Sequence, residues 1–200
     1  MPQVTELVWV PLKSNEDRNA AKRQLASVRD QHLSQPGLVA SYKGYVLSGP
    51  NAVEFANVWE SEEAYNASHE SQVGEGFKSL ADSSPHQAKH RAVVLDGALE
   101  TLATARVVQV TTVTPSQSVH KAGFSSQVPR FPKAHTTLQG WTAENNQHPS
   151  ASSKSSKPAS FTVLTAYGDL DDYFQAAAAT NSQLGALGDV EAHVTVFEKM

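Results

Sequence analysis

The chain of 200 residues contains eight histidines and no cysteine, so proton transfer near neutral pH falls to imidazole, and thiol nucleophiles, disulfides and zinc–thiolate sites are excluded. His69 stands in a stretch from about Glu62 to Ala81 that reads as a helix, near the face expected to look onto a sheet. A neutral imidazole there could take a proton from, or return one to, a phenol or an enol. The competing reading is a helical histidine that only packs. His90 opens a strand from about Lys89 to Leu95, and His135 opens a later one. Either can point inward or outward, and a structural role is the first reading of both, with His90 kept as a second catalytic candidate. Phe55, Asn57 and Trp59 alternate along one strand and so share a face, which sets an amide between two aromatic rings. A buried asparagine needs partners, and a ligand carbonyl or phenol is one solution while a backbone group is another. Trp9, Tyr42, Trp59 and Trp141 are candidates to wall a flat aromatic substrate, against the reading that each is ordinary core.

Other chemistries find little support. His86 and His90 are four apart but flank a strand start, where alternate residues share a face, so no metal site is expected. Gly74-Glu75-Gly76 lacks the strand-turn-helix setting of a phosphate loop, and no nucleophile elbow occurs. The reading is of a protein that uses no cofactor.

These side chains need a scaffold. Residues 38–65 read as two antiparallel strands joined at Ser48-Gly49-Pro50-Asn51, then a helix with Ser61 as its cap and Glu62 and Glu63 at its positive end. Before them come a strand from Thr5 to Lys13, with Pro11 marking an edge or bulge, and a helix from Glu16 to about Leu33, stopped by Gln35-Pro36-Gly37. The strand from Lys89 to Leu95 completes the order β-α-β-β-α-β, that of a ferredoxin-like unit with both helices on one sheet face.

The order then repeats. Trp59 and Tyr167 are 108 residues apart, as are Tyr65 and Tyr173, and each aromatic pair spans a strand end and an acid-rich helix start. Strands are expected from Ala105 to Val113, His135 to Thr142, 160 to 167 and Val190 to Glu198, with a helix from about Asp169 to Leu184. The segment from Pro115 to Lys133, carrying Pro129 and Pro132, leaves room only for a stunted first helix. Residues 144–158 form a polar low-complexity insertion with nothing to bury. The expected domains are residues 1–98 and 104–200, an α+β pair of tandem ferredoxin-like units that cover each other's bare sheet face as an intramolecular, pseudo-dimeric α/β barrel.

A net charge of −4 with scattered basic residues offers no field for nucleic acid. No run approaches the roughly 20 apolar residues needed to span a bilayer, and no basic region leads into an apolar run at the N-terminus. The expectation is a soluble, cytoplasmic protein without nucleic-acid or membrane partners, able to pair further as a homodimer of pseudo-dimers.

Gln35-Pro36-Gly37, the Pro50-Asn51 turn and Val58-Trp59-Glu60-Ser61-Glu62-Glu63-Ala64-Tyr65 together resemble the dimeric α/β-barrel superfamily, in particular its antibiotic-biosynthesis-monooxygenase branch, whose signature is Trp-x-Ser-x-x-Ala-aromatic. The resemblance covers most of the chain as two diverged copies. It implies a range of activities that includes cofactor-free monooxygenases, haem-degrading enzymes and polyketide cyclases. The positions matching the second tryptophan and the haem-ligating histidine of the haem-degrading relatives are Ser68 and Lys78, which speaks against haem. The plant-type cyclase segment His-x-x-His-Val-Gly is matched by His69-Glu70-Ser71-Gln72-Val73-Gly74, with Gln72 at the catalytic histidine's place and Asn66 at that of the assisting tyrosine. Gln72 is therefore carried as a substrate-binding residue. The resemblance and the residues together suggest a cofactor-independent cyclase or isomerase acting on an aromatic or polyketide-derived intermediate of secondary metabolism. The alternatives are a cofactor-free monooxygenase of phenols or anthrones, and a small-molecule-binding barrel without turnover.

Overall fold

A computed structural model of the chain describes residues 2–12, 23, 26, 29–48, 51–69, 89–102, 105–116, 121–143 and 159–200. The start of the expected first helix, the turn residues Gly49 and Pro50, Gln72 with the rest of residues 70–81, and the insertion at 144–158 lie outside the described residues. The chain divides into two compact units, Met1–Ala92 with Thr195–Met200, and Val93–Val194. It is an α+β protein made mostly of antiparallel sheet. Among the described residues no helix is long and apolar enough to cross a membrane.

In the first unit β1 (Val4–Pro11), β2 (Leu38–Val46) and β3 (Ala52–Trp59) form one ladder with β3 in the middle. Every residue of β3 is buried, as a central strand covered on both faces requires. Glu6 lies opposite Asn57 on one side of β3, and Ser41 lies opposite it on the other. Directly paired residues project to the same side, so Glu6, Asn57 and Ser41 share a face, with Trp59 two residues along. Further along that face Val8, Val10, Val53 and Phe55 make an apolar cluster. Pro11 closes β1 opposite Ala52, where its missing N–H matters least.

Residues 29–33 are helical, and the chain turns at Gly37, whose φ of +79° suits a residue without a side chain. The Gly37 carbonyl accepts from the Glu60 N–H at 2.8 Å, which ties the entry of β2 to the exit of β3. Helix α1 (Glu62–His69) begins there: the Ser61 hydroxyl accepts from the Ala64 N–H at 3.2 Å, and Glu62 and Glu63 occupy the first turn. Strand β4 (Lys89–Leu95) has the expected bounds, and its first residues belong to this unit.

The second unit is built on β5 (Val107–Pro115), β6 (Thr136–Thr142) and β7 (Phe161–Tyr167), with β7 in the middle. Val107 pairs with Tyr167 as Val4 pairs with Trp59, which puts Gln109 opposite Thr165 where the first unit has Glu6 opposite Asn57. Helix α2 (Lys121–Ser125) is the short helix that the prolines leave room for. Helix α3 (Leu170–Gly185) is capped by the Asp169 carboxylate, which accepts from the Asp172 N–H at 2.9 Å. Phe124, Phe131, Phe161, Val163 and Leu184 fill its sheet–helix interior. Strand β8 (Gly188–Lys199) starts in this unit, while its residues from Thr195 belong to the first, where they pair with β2.

Gly37→Ala meets two costs, a positive φ and a Cβ driven into the Cβ of Ala64. Chemical unfolding should show a loss of about 1–3 kcal/mol. Gly185→Ala, which meets nothing within 4 Å at the end of α3, should stay within about 1 kcal/mol of the parent.

Candidate functional site

Glu6 is the one charged residue of β1, and it is buried. Its two carboxylate oxygens divide the neighbourhood. Oε2 accepts from the Asn57 side-chain N–H at 2.9 Å and from the Trp59 indole N–H at 3.3 Å. Oε1 faces two imidazoles, His69 Nε2 at 3.1 Å and His90 Nδ1 at 3.8 Å, both electrostatic contacts that fall short of hydrogen-bond geometry. Burial by itself would raise the Glu6 pKa, but His69, His90 and the Asn57 donor outweigh it and hold the carboxyl well below the usual carboxylate range. Glu6 is an anion at neutral pH.

That charge orients what surrounds it. An ionised carboxylate only accepts, which favours hydrogen on the His69 nitrogen that faces it; in that neutral tautomer the lone pair sits on Nδ1. The side chains of His69 and His90 keep 24% and 25% of their exposure against 6% for Glu6, so both rings lie at the rim of the buried charge. Tyr65, one helical turn before His69 on α1, packs edge-on against its ring at 4.6 Å between centroids. Burial, and then the negative charges of Glu6 and Glu62, push the Tyr65 phenol above its ordinary pKa, so it stays a neutral donor. Helix α1 therefore presents an imidazole and a phenol from one face.

On the far side of Asn57 the network continues. The amide oxygen accepts from the Ser41 hydroxyl at 2.7 Å and lies 3.1 Å from His32 Nε2. His32, in the helical residues 29–33, is 2% exposed, its ring edge-on to Trp59. Burial lowers its pKa against the opposing effects of Asn57 and Glu6, which keeps the ring neutral at pH 7.

Of the candidate residues read from the sequence, His69, His90, Asn57 and Trp59 all touch Glu6. Phe55 shares their sheet face but belongs to the apolar cluster. Trp9 pairs with Glu54 and Tyr42 with Ala56, which puts both on the opposite face of the ladder. Trp9 lies there under the Lys89 ammonium, 5.6 Å from its ring centroid. Trp141 belongs to the second unit, stacked among Phe124 and Phe161. The four aromatics thus do not form one wall. His135 is in the second unit beside Gly168, with the Asp172 carboxylate near the same point. Among the described residues no group of three His, Cys, Asp or Glu side chains is arranged to hold a metal ion.

Sequence reading missed Glu6 and His32. A carboxylate on the same strand face as Val4, Val8 and Val10 was the available signal, as was a histidine in the apolar stripe of Leu25 and Val28. In the second unit the matching ladder position carries a neutral side chain: Gln109 accepts from the Tyr167 hydroxyl at 3.2 Å and donates to Asn181 at 2.9 Å. Burial and the neighbouring Tyr173 push the Tyr167 phenol up to about 12. No carboxylate–histidine pair stands at that position.

No protein-family model matches the sequence, and no curated protein matches it. Solved structures do. An anthrone oxidase-like protein superimposes with a TM-score of 0.68 over 99% of this chain and 92% of its own, at 10% identity. A candidate monooxygenase from Lactobacillus acidophilus NCFM gives 0.60 over 98% and 94%, at 9% identity. A protein named for chlorite dismutase, TA0507, gives 0.57 over 99% and 95%, at 12% identity. At such identities the likeness is one of fold, the dimeric α+β-barrel type.

Because the Glu6 pKa is lower in the folded protein than in the unfolded chain, its ionisation adds stability that is complete above pH about 5 and is lost as pH falls toward its folded value. Unfolding free energies measured from pH 7 to pH 3 should show the parent's advantage over Glu6→Gln shrinking as pH falls. An advantage that stays constant over that range would mean that Glu6 carries no such ionised contact.

Proposed function

We propose that the first unit is the catalytic half of a cofactor-free monooxygenase acting on a small aromatic substrate with an acidic O–H or C–H, a phenol or an anthrone. The observation that carries the reading is the buried Glu6 anion against His69, which holds the imidazole in one tautomer and stabilises the cation formed when it accepts a proton. The names of two structural neighbours, anthrone oxidase-like and monooxygenase, lean the same way. We further infer that the chain is two diverged ferredoxin-like copies of the antibiotic-biosynthesis-monooxygenase branch, supported by the matching registers of the β1–β3 and β5–β7 ladders.

In this reading His69 removes a proton from the substrate and Tyr65 donates to the oxygen on which charge develops. The electron-rich anion passes one electron to dioxygen, and the two radicals combine at the activated carbon. His69 returns its proton to the peroxide so formed. Loss of water then leaves a carbonyl where a CH2 group stood, so that CH2 and O2 give C=O and H2O with no external reductant. His90, on the same carboxylate oxygen, is placed to accept or release the second proton. Cyclisation or isomerisation would use the same proton removal without oxygen.

With anthrones and reduced polyphenols as substrates, oxygen consumption should match product formation one to one. His69→Ala should lower kcat by roughly 100-fold or more, in the range of a lost general base. Turnover that persists under strict anaerobiosis would replace the monooxygenase by a cyclase or isomerase. Saturable aromatic binding without product would make the unit a binding module.

A further inference from the structure

The buried polar chain does not end at Glu6, and the direction of its hydrogen bonds can be followed outward from the charge. Glu6 accepts only, so the Asn57 amide must turn its N–H2 group toward Oε2 and its oxygen away. That oxygen meets two groups, the Ser41 hydroxyl and His32 Nε2. A hydroxyl tolerates either orientation of the amide, because it can donate or accept by rotating. An imidazole N–H does not. With hydrogen on Nε2, His32 has the Asn57 amide oxygen at 3.1 Å as its nearer acceptor and the Ser41 oxygen at 3.3 Å as the farther, and the Gln35 amide nitrogen 3.3 Å from Nδ1 suits the same tautomer.

We propose that His32 is a positioning residue of the Glu6 site: its Nε2–H fixes the Asn57 amide so that the N–H2 face stays on Glu6 Oε2 and Oε1 is left to His69. The part of this that concerns turnover rests on the monooxygenase reading above; the part that concerns the Glu6 carboxylate does not. The arrangement survives protonation of His32, since the imidazolium also carries hydrogen on Nε2. Without His32 the amide is held from that side by Ser41 alone, a hydroxyl that suits either orientation, so its alignment on Oε2 rests on the carboxylate by itself and loosens. Glu6 would then have a poorer donor and hold its proton more tightly.

The test is a carbon-13 titration of the Glu6 side-chain carboxyl in the whole protein without substrate, together with steady-state kinetics. His32→Leu should raise the Glu6 midpoint by about one unit, and by the same loss of alignment lower kcat about tenfold with a smaller change in KM. His32→Gln, whose amide can again donate to Asn57, should recover most of both. An unchanged Glu6 midpoint in folded His32→Leu overturns the proposal. Should that variant not fold, the parent protein still decides: nitrogen-15 shifts of His32 must report hydrogen on Nε2, and a neutral ring with hydrogen on Nδ1 overturns it. A Glu6 midpoint that moves as expected, in a protein that consumes no oxygen with any substrate offered, upholds the positioning role and removes the monooxygenase reading instead.

Discussion

The buried Glu6 carboxylate governs the first unit. A carboxylate taken out of water costs several kcal/mol unless donors surround it, and no single side chain can supply enough of them. Glu6 draws its polar partners from three elements: Asn57 and Trp59 on β3, His69 on α1 and His90 on β4. Each element is thereby held to the same point. The sheet register that puts Asn57 opposite Glu6, the helix start at Ser61 that aims His69 back at the strand, and the Gly37 tie between β2 and β3 all serve that convergence.

The second unit makes the comparison that isolates this effect. Its ladder keeps the register, an aromatic residue ends the central strand, and a tyrosine stands one turn into the following helix. Gln109 replaces the carboxylate and Ala177 lies 108 residues after His69. A neutral amide is satisfied by Tyr167 and Asn181 and asks nothing further of its surroundings. The same backbone thus supports an ionised cluster in one unit and an uncharged one in the other, and of the two only the ionised cluster contains imidazoles.

Much of this was legible beforehand, for identifiable reasons. Strand β4 and helix α3 stand almost where their alternation and acid-rich start placed them, because local pattern decides both. The face shared by Phe55, Asn57 and Trp59 followed from period two within one strand. Whether Trp9 or Tyr42 joined that face depended on the register between strands, which no single strand encodes, and the register set them on the other side. Glu6 escaped notice because its neighbours in sequence are apolar and its partners lie some fifty to eighty residues away. His32 was hidden in a helical stripe where an imidazole fills an apolar position.

The pairing of β2 with Thr195–Lys199 has a bearing on how the polypeptide reaches this state. These partners are about 150 residues apart, so during synthesis β2 leaves the ribosome with one row of amides and carbonyls uncovered while the whole second unit is still to be made. The sheet behind Ser41 cannot be completed until β8 arrives, and closing so long a loop is slow. The unit that carries the charge is thus encoded first and finished late, with an interval in which a chaperone, or a neighbouring nascent chain, could claim the open edge.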